Sequence, residues 1–101
     1  MKGYEFLPEA EEEMNEAAQF YERRKKGLGL EFLNEVERTV ASIVALPQSG
    51  PAISSSIRRR IVHRFPYGVL YAIHKDKILI VAVAHLKRRP DCWKERTGKD
   101  V

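Results

Sequence analysis

One cysteine, Cys92, is all the thiol chemistry this chain has; an internal disulfide and a cysteine-built zinc knuckle are both excluded. Long apolar runs are also missing. The longest spans seven residues, 78–84, against the ~18 that a membrane-crossing helix requires. The opening Met1-Lys2-Gly3-Tyr4-Glu5 contains no apolar signal region, so a cytoplasmic protein without membrane association is expected. The glycines never cluster into a phosphate-cradling loop, and no serine or cysteine stands in a pattern that supplies it with a base. Residues 57–101 lack paired carboxylates. His63, His74 and His85 lack the local spacing of a metal-binding helix or knuckle, so neither metal nor cofactor is expected. Ordinary hydrolytic catalysis is poorly supplied.

What the chain does have is charge, unevenly placed. Residues 1–56 carry six Lys/Arg against ten Asp/Glu, whereas residues 57–101 carry twelve against four. The net charge of +4 therefore conceals a strongly basic half, which also holds Phe65, Tyr67, Tyr71 and Trp93. Clustered cations attract polyanions or acidic protein segments. A length of 101 residues with 44% apolar content suits one globular domain, and residues 1–101 are read as such.

Tyr4-Glu5-Phe6-Leu7 reads as a short strand ended by Pro8. Proline suits the first helical turn, where its missing N–H has no partner anyway. Glu9, Glu11, Glu12 and Glu13 follow, and Arg23 to Lys26 close the segment; both match the helix dipole. Ala10, Met14, Ala17 and Tyr21 share one face, and Gly27 and Gly29 are read as the stop. A second helix is predicted over 30–46, with a stripe of Leu33, Val36, Val40, Ile43 and Val44, ended by Pro47. Residues 48–56 read as loop, and three strands follow at 57–64, 69–74 and 77–85. The last two are joined by a Lys75-Asp76 hairpin. The predicted class is α+β, ordered β-α-α-β-β-β: a helical hairpin (about 8–46) on a small, mainly antiparallel sheet (about 57–85), with a basic tail at 86–101.

Two basic clusters carry the functional reading. In the first, strand alternation sends Arg59 and His63 to one face and Arg58, Arg60 and Arg64 to the other. The second is Lys87-Arg88-Arg89, just past the last strand. Hairpin geometry returns it to a sheet end, where the two clusters are expected to converge on one concave patch. His85 beside it is either an acid/base group or a structural hydrogen-bonding group. Trp93 either anchors a partner, stacks on a base, or tucks the tail onto the sheet.

Further residues add a resemblance. They are Pro8-Glu9-Ala10, Tyr21, Gly29-x-x-Phe32, Leu46-Pro47, Arg60, Phe65-Pro66-Tyr67-Gly68-Val69-Leu70-Tyr71, Ile80-x-Ala82-Val83-x-His85 and Arg89-Pro90-x-x-Trp93-x-x-Arg96. In this order and spacing the chain resembles toxins of the ParE/RelE superfamily of bacterial type II toxin–antitoxin modules, and agrees best with the ParE-like branch. RelE-like members are ribosome-dependent messenger RNA endoribonucleases; they tend to place an arginine after the hairpin tyrosine, and often a tyrosine in the tail. Here Gly68 follows Tyr67, and Trp93 stands in the tail. Losing one stabiliser of phosphodiester charge can cost ~100-fold.

The resemblance thus implies inhibition of DNA gyrase by protein–protein contact. It also implies a cognate antitoxin, a small protein whose acidic amphipathic segment folds onto the toxin. The alternatives are a ribosome-dependent messenger RNase using Arg59, His85, Lys87 and Arg88, or a non-toxic nucleic-acid-binding relative. Target or antitoxin contact is assigned to Arg58, Arg60, Arg64, Tyr67, Arg89, Trp93 and Arg96.

Overall fold

The computed structural model describes residues 3–87. Six elements follow in chain order: β1 (Gly3–Phe6), α1 (Pro8–Arg24), α2 (Leu28–Ala45), β2 (Arg58–Ile61), β3 (Tyr67–His74) and β4 (Lys77–His85). The strands form one sheet in the order β1-β4-β3-β2, with β1 parallel to β4 and the other two pairings antiparallel. The predicted α+β arrangement is therefore present. As its apolar composition requires, β4 lies inside the sheet.

The helix stripes do what their spacing demands. Ala10 and Ala17 of α1 and Val36, Val40 and Ile43 of α2 are buried together with Val69, Tyr71, Ile78, Ile80 and Val83 of the sheet. Phe32 is completely buried among them, in ring contact with Tyr21, Phe65 and Tyr67. A second buried group, Ile57, Leu70, Ala72, Val81 and Ala82, belongs to the sheet's opposite face. The β3–β4 register steps between Leu70, opposite Ala82, and Tyr71, opposite Ile80, which leaves Val81 as the extra residue of a bulge.

Several boundaries differ from the sequence reading, β3 beginning at Tyr67 rather than residue 69 among them, and two have a plain local reason. Gly29 does not stop α1; it lies in the first turn of α2. There a methyl group would sit 2.5 Å from the Ala18 carbonyl oxygen, so glycine is what lets the two helices approach. The Glu22 carboxylate accepts the N–H groups of Gly27 (3.0 Å) and Gly29 (3.0 Å), satisfying donors that a helix start leaves orphaned. Gly27, at φ 89°, makes the bend between the helices.

The second difference is β2, which ends at Ile61 rather than residue 64. Arg64 adopts a left-handed φ of 73°, which extended backbone cannot accommodate. His63 and Arg64 therefore belong to the turn into β3, not to either sheet face.

Candidate functional site

Arginines 58 to 60 alternate across β2, and their registers decide what each one meets. Arg58 lies opposite Tyr71 and Arg60 opposite Val69, both on the helix-facing side. Both arginines turn to the loop that follows α2. Arg58 Nη1 donates to the carbonyls of Gly50 (2.7 Å) and Gln48 (3.2 Å), and Arg60 Nη1 donates to Ser49 Oγ (2.6 Å). Tyr71, fully buried, fixes the same loop from beneath: its hydroxyl donates to the Pro47 carbonyl (2.7 Å) and accepts the Gly50 N–H (3.2 Å). The loop also bonds the strand's outer edge, where Arg59 N–H donates to the Pro51 carbonyl (3.0 Å). Arg64 reaches in another direction, to Glu31 of α2 at 2.9 Å, with its guanidinium 5.9 Å from the Phe65 ring centre.

Arg59 points to the other side of the sheet. Its neighbour is Gly68, where an added Cβ would lie 3.0 Å from Arg59 Cδ, 3.1 Å from Arg59 Cγ and 3.5 Å from Leu86. The bare backbone at Gly68 is the bed for the aliphatic part of Arg59, which lies flanked by Leu86. An arginine at position 68 would have to displace it.

His85 is elsewhere. It lies opposite Tyr67, their rings meet edge to face at 5.3 Å, and its Nδ1 accepts the Lys87 N–H (3.1 Å). Both rings line a shallow depression of about 250 Å³ with Glu13, Glu16 and Phe20 of α1. The Tyr67 ring belongs to the helix-facing core, so His85 shares that side. Arg59 and His85 thus lie on opposite faces of one sheet. Tyr21, packed edge to face against Tyr67, has its phenol pushed above the usual tyrosine range by burial and by Tyr67, against a smaller opposing pull from Arg24.

The expected concave patch does not form among the described residues. Arg58 and Arg60 hold a loop, Arg64 holds α2, Arg59 crosses to the far face, and Lys87 is exposed beyond His85. Alternation with period two disperses consecutive arginines by construction. Arg88, Arg89, Trp93 and Arg96 lie outside the described residues.

The helix dipole accounts for the α1 glutamates only in part, and two of their contacts were missed in the sequence. Glu13 Oε1 accepts the Val83 N–H (3.1 Å), covering the edge of β4 past the end of β1. Glu16 and Phe20 share the depression with Tyr67 and His85. The readable signal was the spacing of 13, 16 and 20, which puts all three on one helix face.

Among known proteins, a family model described as the ParE toxin of the type II toxin–antitoxin system parDE matches residues 4–90. A solved structure described as a chromosomal ParDE TA system from P. aeruginosa is similar, with a TM-score of 0.60 and 15% identity, over 84% of this chain and 95% of that one. At such identity the likeness concerns the fold. No curated protein matches in sequence.

Proposed function

This chain belongs to the ParE toxin family of type II toxin–antitoxin systems, and from that premise we propose that it inhibits DNA gyrase by protein–protein contact and is silenced by a cognate antitoxin. The observation that carries this reading is the separation of Arg59 from His85 by the sheet. Cutting a phosphodiester requires an acid/base group and charge-stabilising donors aimed at the same reacting atoms. Two groups on opposite faces cannot meet one phosphate, and Gly68 holds the position after Tyr67 where an arginine would add charge. A contact inhibitor has no such requirement.

We assign the antitoxin's acidic amphipathic segment to Arg60, Arg64 and Tyr67, its carboxylates taking over from Ser49 and Glu31, the present partners of Arg60 and Arg64, while Arg58 holds the loop after α2. Arg89, Trp93 and Arg96 are proposed to extend the contact from the tail. Charge of this kind speeds encounter, while apolar anchors hold the complex. The chain acts as one toxin domain in the bacterial cytoplasm.

The test is supercoiling by purified gyrase in the presence of the chain. Loss of supercoiling at saturation, restored by the neighbouring antitoxin, is the expected result. Unimpaired gyrase at saturating toxin overturns the proposal.

A further inference from the structure

The arginines in and beside β2 differ in what their charged ends still have to bond. Arg58 and Arg60 donate to the loop after α2, and Arg64, past the strand's end, is bonded to Glu31. Arg59 is held by its backbone and its stem instead. Its N–H donates to the Pro51 carbonyl, and its Cγ and Cδ lie 3.1 and 3.0 Å from where a Cβ on Gly68 would stand. Its guanidinium has no hydrogen-bond or salt-bridge partner among the described residues. A stem already confined loses less rotamer freedom when a partner bonds its head.

Two exposed aliphatic side chains flank this arginine. Ile61 lies two residues on, so alternation sends it to the same sheet face, and it stands opposite Gly68 in register. Ile61 is 51% exposed, and Leu86, 3.5 Å from the Gly68 Cβ position, is 39% exposed. The sheet face away from the helices thus carries, at its β2 end, an unpaired guanidinium between two aliphatic groups that meet solvent.

The surroundings of that guanidinium decide the class of partner. Among the described strand residues, the only other Lys or Arg that alternation places on this face is Lys77, and it is bonded to Glu5 (2.9 Å). A nucleic-acid backbone is held by several cations at once. One guanidinium with aliphatic flanks suits a carboxylate carried among apolar side chains. The planar fork gives that carboxylate a two-point bond, and the apolar neighbours exclude water around it.

We infer that Arg59, Ile61 and Leu86 make the contact with the target protein, taking from it an acidic segment in which a Glu or Asp is flanked by apolar residues. This assignment rests on the contact-inhibitor reading and gives it a surface. Target and antitoxin then use different arginines, Arg59 on one sheet face and Arg60 on the other, with Arg64 in the turn beyond.

The test has two arms, both on the whole chain. In the first, the isotope-labelled chain is titrated with two end-blocked heptapeptides, one alternating leucine with glutamate and one alternating leucine with glutamine, and with a short oligothymidylate. The glutamate peptide is expected to shift the Arg59 Nε–H signal and the amides of Ile61, Gly68 and Leu86. The glutamine peptide is expected to bind at least about tenfold more weakly. Arg59→Gln keeps Cγ and Cδ on Gly68 and removes the charge; it should retain the wild-type circular dichroism and lose the preference between peptides. In the second arm, Arg59→Gln should require at least about tenfold more protein than the wild-type chain to stop supercoiling by gyrase.

Equal binding of the two peptides overturns the inference. So do shifts confined to Arg60 and Arg64, tighter binding of the oligothymidylate at Arg59, or equal inhibition by the wild-type chain and Arg59→Gln. If the wild-type chain leaves gyrase unimpaired, the gyrase reading falls, and the peptide titration alone decides for or against this surface.

Discussion

The two edges of this sheet invert what their charges suggest. The β2 edge holds three successive arginines, yet two of them hold the loop after α2, and that loop bonds the strand's edge. The β1 edge lies among carboxylates on an otherwise basic protein and, among the described residues, is bonded on one side only. Counting charges along the chain therefore does not tell which cations already have partners. A guanidinium already donating to carbonyls is part of the scaffold, whatever its formal charge.

That contrast can be broken by mutation, and the largest effect falls on the loop that β2 supports. Tyr71→Phe removes a hydroxyl that satisfies both the Pro47 carbonyl and the Gly50 N–H in a buried place. Leaving such groups unmade costs about 2–3 kcal/mol, read as a lower denaturant midpoint at unchanged slope. Arg58→Met comes next: it removes charge-assisted bonds to two carbonyls that are themselves nearer the surface, a loss of about 1–2 kcal/mol in the same measurement. The equivalent change at the other edge is smaller. Lys77→Met breaks an exposed pair with Glu5, and its cost stays below about 1 kcal/mol and shrinks with added salt.

The smallest effect is a pH dependence. Because burial and Tyr67 raise the Tyr21 phenol, the folded state holds that proton more tightly than the unfolded chain does. Its contribution is complete below the ordinary value of 10.0 and declines as pH rises past it. Stability measured across this range should fall less steeply in Tyr21→Phe.

The order of elements was legible in the sequence because periodicity reports burial. The steps between Ala10, Met14, Ala17 and Tyr21 and the apolar run at 78–84 required an amphipathic helix and an interior strand, and both are present. Gly29 misled because its signal is ambiguous: glycine ends helices, but it also permits close packing, and only the nearness of the Ala18 carbonyl shows which applies. The site was less legible. Alternation correctly separated Arg59 from Arg58 and Arg60. It carried no information about the loop oxygens that Arg58 and Arg60 would find, two carbonyls and the Ser49 hydroxyl, since those lie eight to eleven residues away. The left-handed turn at Arg64 ended β2 early and sent that side chain to Glu31, a contact across 33 residues that no local pattern encodes.

The division of Arg59 from His85 by the sheet has one direct test. Translating ribosomes programmed with a defined messenger, incubated with the purified chain, should leave that messenger intact at concentrations that abolish gyrase supercoiling. Messenger cut at discrete positions, with cleavage lost in both Arg59→Ala and His85→Ala, would contradict the account, because one reaction would then require both faces at once.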